Sequence, residues 1–159
     1  MTHISLEEEL EKTGTLCWTN VGVSMMPLLR EGRDVLLIAR KGAERCRKYD
    51  VVLFRRCEAA GRSRYILHRI LRVNPDGSYW IVGDNCTEGE VVQEAQILGV
   101  LTAVQRNGRT LAVTDGAYRL YVTLWGGCWP VRIALLRGMR FAKRCLLRAK
   151  RSVSGEQNG

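Results

Sequence analysis

The sequence predicts a mainly β domain, an all-β barrel or folded sheet, followed by a C-terminal amphipathic helix. Three observations carry this. Short apolar runs recur between residues 34 and 113 at intervals that suit strands better than helices. Two connections carry strong turn chemistry, Asn74-Pro75-Asp76-Gly77 and Asn107-Gly108. Beyond Pro130 the period changes: Val131, Leu135, Met139, Ala142, Leu146 and Ala149 form one helical stripe, and Arg137, Arg140, Arg144, Arg148 and Arg151 form a second.

At 159 residues, 46% of them hydrophobic and 26% charged, the composition is that of one globular domain and excludes a disordered chain. The net charge of +9 is unevenly placed. Residues 118–159 hold 9 Lys and Arg against the single acid Glu156, whereas residues 1–117 are close to neutral. Four parts are expected: an N-terminal helix over 1–14, a β domain over 15–117, an apolar and basic helical segment over 118–151, and a disordered tail over 152–159.

Ser5-Leu6-Glu7-Glu8 has the pattern of a capping box, and Gly14 suits the end of the helix it starts. Thr15 to Val21 reads as an extended lead into Gly22-Val23-Ser24-Met25-Met26-Pro27. Strands are expected at Asp34–Ala39, Asp50–Arg55, Tyr65–Val73, Ser78–Val82, Ile97–Gln105 and near Leu111–Val113. Tyr118 to Trp129 is apolar and aromatic but broken by Gly126-Gly127, and Pro130 suits the first turn of the last helix.

No charge occurs from Leu16 to Leu29, so Ser24 stands in an apolar setting that favours attack on a carbonyl. A serine beside glycine is also common turn chemistry. His68, on an expected strand, is the only histidine outside the first few residues, and a neutral imidazole in reach of Ser24 can act as general base. A packed strand histidine reads the same way in sequence. Gly83-Asp84-Asn85 follows a strand and is either turn chemistry or a carboxylate supporting the site. The five lysines (Lys12, Lys41, Lys48, Lys143, Lys150) all lie outside apolar strands, where a lysine base of lowered pKa would be expected. With two histidines and no Cys-x-x-Cys among six cysteines, no metal or other cofactor is expected, and the scattered cysteines suit reduced thiols.

The series Gly22-x-Ser24-Met25-x-Pro27, Gly32-Arg33-Asp34-Val35, Tyr49-Asp50-Val51-Val52, His68-Arg69-Ile70, Gly83-Asp84-Asn85 and Ile97-Leu98-Gly99-Val100 resembles, in order, the signal peptidase I and LexA-like serine peptidases. It covers residues 20–105. Histidine rather than lysine as the base is similar to the endoplasmic-reticulum, archaeal and sporulation-type signal peptidases. The resemblance implies a signal-peptidase/LexA-like folded β-sheet barrel that cleaves signal or leader segments of a peptide or precursor protein. It makes Ser24 the nucleophile, His68 the general base and Asp84 a support. Gly22 stands where bacterial members often carry a hydroxyl residue, which leaves the oxyanion to backbone N–H groups of Ser24 and Met25. The further aspartate of the endoplasmic-reticulum type is replaced nearby by Glu88 and Glu90. Ala60-Gly61 resembles a LexA-type cleavage dipeptide but lies between Ser24 and His68. With about twenty residues before the serine loop, a DNA-binding domain is not expected.

An acidic start (Glu7, Glu8, Glu9, Glu11) argues against a cleavable signal peptide, and no apolar run reaches the ~18 residues of a membrane span. The expected place is the cytoplasm or the membrane periphery. Residues 118–151 suit the interface, with Trp125 and Trp129 at headgroup depth and Arg137, Arg140 and Arg144 toward anionic lipid. Packing of the same helix on the domain is the alternative. Nucleic-acid binding is the weaker reading, since no recognition motif accompanies the basic helix. Nothing in the sequence indicates an oligomeric state. A non-catalytic peptide- or membrane-binding module is the competing function.

Overall fold

A computed structural model describes residues 5–19, 21–58 and 62–155, with the side chains of Arg140 and of residues 146–155 left out. His3 and Ala60-Gly61 lie outside the described residues. The chain divides between Gly127 and Cys128 into two compact units. The change of composition at Tyr118 therefore falls inside the first unit.

The first unit begins with α1 (Leu6–Thr13), capped by the reciprocal Ser5–Glu8 bonds and closed by Gly14 at φ 71°. Eight strands follow: β1 (Thr15–Thr19), β2 (Asp34–Arg40), β3 (Val51–Cys57), β4 (Ser63–Val73), β5 (Tyr79–Val82), β6 (Gly89–Val92), β7 (Ile97–Arg106) and β8 (Arg109–Ala112). All pairings are antiparallel, in the order β1-β2-β7-β3-β4-β5-β6, with β8 on the far half of β7. Asn107 and Gly108 both take positive φ in the β7–β8 turn, as a two-residue hairpin of this hand requires.

The sheet is not a closed barrel: it ends at β1 and β6, which have one neighbour each. Closure would need those two strands to pair. Strand β3 explains the two-sided core. Val51 and Leu53 join Leu36, Ile38, Leu67 and Leu101 in one cluster, and Val52 and Phe54 join Ile70, Tyr79 and Ile81 in another. A strand buried on both faces reads as a continuous apolar run, as Val51-Val52-Leu53-Phe54 does. Each such side chain contributes about 1.5–3 kcal/mol through burial.

Two irregular segments hang on this frame. Between β1 and β2, Met25, Leu28 and Leu29 sink into the first core cluster. Buried Asp34 closes that loop: it accepts from the Arg30 N–H at 2.9 Å and from Arg33 and Arg106 at 2.8 Å, while Arg106 Nη2 also donates to the Leu28 carbonyl at 2.6 Å. Burial alone would raise the Asp34 pKa, but the hydrogen bonds from Arg106 and Arg33 outweigh it and hold the carboxyl well below its ordinary value. After β8, α2 (Gly116–Tyr121) runs into a π-helical turn at Val122–Gly126.

The second unit is α3, Trp129–Gly155. The helix includes Ser152–Gly155, which the sequence assigned to a disordered tail; the stretch has no Pro and continues the helix to Gly155. Val131, Leu135 and Met139, one side of the expected apolar stripe, are exposed. No helix among the described residues is long and apolar enough to cross a membrane.

Candidate active site

Ser24 follows the exposed pair Val21 and Val23 and precedes Met25, which is fully buried. The buried methionine anchors the loop and so fixes the serine one residue earlier. The Leu29 N–H donates to the Met25 carbonyl at 2.9 Å, and the Met26 N–H to the Val23 carbonyl at 3.2 Å. The N–H groups of Ser24 and Met25 have no acceptor among the described residues.

His68 lies near the middle of β4, opposite Val52 of β3, with its ring 6.2 Å from that of Phe54. Gly83 brings the two together. A Cβ on Gly83 would fall 2.7 Å from the Ser24 carbonyl oxygen, 2.9 Å from His68 Nε2 and 2.8 Å from Cys86 Sγ. Only a residue without a side chain lets these three approach. Asn85 completes the seat: its N–H donates to the Ser24 carbonyl at 2.7 Å, and its side-chain amide donates to the Val23 carbonyl at 3.1 Å. Ser24 and His68 also line one cavity of about 290 Å³, with Trp18, Val21, Arg56 and Arg64. No hydrogen bond joins the Ser24 hydroxyl to the imidazole; in unliganded serine–histidine sites this contact is often long and tightens with substrate.

The two imidazole nitrogens face different neighbours. Nε2 is on the Gly83 side, while Nδ1 is 4.0 Å from Glu90 Oε1 on β6. Arg56 holds Glu90 by a two-pronged ion pair, its Nε at 2.8 Å from Oε2. Burial lowers the His68 pKa from its ordinary 6.5; Glu90 opposes this, Arg56 adds to it, and Asp84 opposes it more weakly. The imidazole is therefore neutral at pH 7, the form a general base needs.

Asp84 does not touch the imidazole; it braces the turn beneath Ser24. Its carboxylate takes both prongs of the Arg69 guanidinium, at 2.8 and 2.7 Å, and the Tyr121 hydroxyl at 2.9 Å; its charge reaches His68 through space. Both partners of the Arg69–Asp84 pair are fully buried. Arg69 also donates to the Tyr49 carbonyl at 3.0 Å, and the Trp125 indole N–H donates to the Asp84 carbonyl at 3.0 Å. Arg69 and Asp84 thus pin the turn under Ser24 to the 116–126 segment.

Trp125, assigned from sequence to headgroup depth, instead stacks on Tyr121 with ring centroids 6.5 Å apart and spends its N–H on the Asp84 turn. The reason is the register of α2 and the π turn, which directs Tyr118, Tyr121 and Trp125 to the Arg69–Asp84 pair. The register leaves Leu120 and Leu124 exposed. Trp129 is half-buried, Arg137 and Arg144 are exposed, and Arg140 lies on α3 with its side chain outside the described residues. Among the described residues no group of three His, Cys, Asp or Glu side chains gathers as metal ligands would.

The sequence left Glu90 as one of two nearby acids. Only the β5–β6 pairing, Ile81 opposite Glu90, sets it behind His68. Searches against protein-family models and against curated proteins find no match to this chain.

Proposed function

We propose that the protein is a serine endopeptidase of the signal-peptidase/LexA-like type, with Ser24 as nucleophile and His68 as general base. The observation that carries this is the shared seat on Gly83: the Ser24 carbonyl and His68 Nε2 both crowd that glycine, and Ser24 and His68 line one cavity. Neutral His68 takes the Ser24 proton as Oγ attacks the peptide carbonyl. The N–H groups of Ser24 and Met25 receive the oxyanion. Imidazolium then protonates the leaving amine, and water, deprotonated by His68, releases the acyl group. Glu90 orients the imidazole from the Nδ1 side and favours its charged form as it appears.

The substrate is an extended segment of a peptide or precursor protein. Among the described residues, strand β1 pairs only with β2, and residues 63–68 of β4 pair only with β3, because β5 begins its pairing at Arg69. Trp18 of β1 and residues 64–68 of β4 border the cavity, so an extended chain can add to an open strand edge there. Work at a membrane surface is supported by the exposed Val21 and Val23 beside Ser24 and by the exposed Val131, Leu135 and Met139 on the arginine-rich α3.

The test compares new protein N-termini in cells expressing wild type, Ser24→Ala and His68→Ala, together with fluorophosphonate labelling of the purified proteins. Termini and labelling present only with wild type are expected. Identical termini, with all three proteins folded and unlabelled, would give way to the second reading, a non-catalytic peptide- or membrane-binding module, which the lack of a Ser24–His68 hydrogen bond among the described residues favours.

A further inference from the structure

A second cavity in the first unit, of about 510 Å³, lies among the loop before β3, strand β7 and the 113–123 segment. This is within the size range of small-molecule sites. Its floor is aliphatic: Val51, Val100, Leu101, Val113 and Val122. Its rim is cationic, with Arg47, Lys48 and Arg119 against one acid, Asp50. Two of these charges are already answered. Arg47 lies 3.7 Å from Glu44, and the Asp50 carboxylate accepts the Arg47 backbone N–H at 2.7 Å. Lys48 and Arg119 have no carboxylate partner among the described residues.

The rim is also conformationally special. Tyr49 has φ 79°, a left-handed backbone that is a genuine outlier for a bulky residue. Its N–H donates to the Ile70 carbonyl at 2.7 Å and its carbonyl accepts from Arg69 at 3.0 Å, so the corner is held from both sides. The corner brings Lys48 Nζ within 4.8 Å of the Tyr49 ring centroid, over one wall of the cavity. Strained residues held by their surroundings concentrate at binding sites.

We propose that this cavity binds an amphiphilic organic anion, a phosphate or carboxylate head at Lys48 and Arg119 with an aliphatic body over the valine floor. The site is separate from Ser24 and His68 and does not rest on the peptidase reading.

The full chain is titrated with octyl phosphate below its micellar range, with octanol and inorganic phosphate as controls that each carry one half of the ligand. Calorimetry gives affinity, and methyl-resolved NMR gives location. One saturable site per chain is expected, with shifts at the Val100, Val113 and Val122 methyls and binding by neither control at the same concentration. Lys48→Glu with Arg119→Glu, both exposed positions, is expected to weaken octyl phosphate roughly tenfold or more, and Lys48→Arg with Arg119→Lys to keep it. Ser24→Ala is expected to leave binding unchanged. Octanol binding as tightly as octyl phosphate, or affinity unaltered by the double reversal, overturns the proposal. Phosphatidylglycerol vesicles separate the source: vesicle binding that needs Lys48 and Arg119, without one-to-one binding of octyl phosphate, also overturns it and makes these cations bilayer contacts.

Discussion

Gly83 is the residue on which the candidate site depends most closely. Gly83→Ala places a methyl within 3 Å of the Ser24 carbonyl, Cys86 Sγ and His68 Nε2 at once, and one of these must move. Displacement of about 1 Å at a reacting pair costs on the order of a hundredfold in rate, so peptide cleavage and fluorophosphonate labelling are expected to fall by about that factor while circular dichroism stays native. His68 sets the pH response. Because its folded pKa lies below 6.5, the folded protein resists protonation that the unfolded chain accepts. The stability this contributes is present above pH 6.5 and declines as pH falls below it. The acid limb of the cleavage profile is expected below pH 6.5 as well. Glu90 raises the His68 pKa, so Glu90→Gln is expected to move that limb to still lower pH and to reduce the rate. A merely structural role for Glu90 would leave the limb in place. In sequence, Gly83-Asp84-Asn85 drew notice for its aspartate; the close approach that makes its glycine irreplaceable depends on the meeting of three segments distant in the chain.

At the scale of elements, the 116–126 segment acts as a clamp on the turn beneath Ser24. Its tyrosines and Trp125 reach Asp84 and Arg69, which are buried together. Removing one partner of such a pair leaves an uncompensated charge. Arg69→Met is expected to destabilise the protein by about 3–5 kcal/mol in denaturant titration, and the double change Arg69→Met with Asp84→Leu to recover part of that loss. Most strands were legible because alternation and turn residues state them locally. Strand β6 was not: Gly89-Glu90-Val91-Val92 is short and half polar, and it is a strand because β5 offers it an edge. The clamp was not legible either. An aromatic run broken by two glycines fits an interfacial helix as well as an inward-facing one, and only the location of Arg69 decides between them. The barrel expectation went too far for a related reason, since strand count and spacing do not say whether the end strands meet.

For the whole molecule, the uneven charge seen in sequence now has a carrier. Residues 128–159 hold 8 Lys and Arg and one Glu, and α3 exposes Val131, Leu135 and Met139 together with Arg137 and Arg144. A chain ending at Gly127 is expected to lose binding to phosphatidylglycerol vesicles in a flotation assay while still cleaving short soluble peptides, and wild-type flotation is expected to weaken as salt rises. The uneven pairing of β4 has one more consequence. Alternate amides between Ser63 and His68 point away from β3, where no strand among the described residues covers them. Such amides trade their hydrogen for deuterium readily, whereas those of the central strands wait for global opening. Slowed exchange confined to this short stretch would register a chain lying in the cleft even in a protein whose serine has been removed, making occupancy visible apart from turnover.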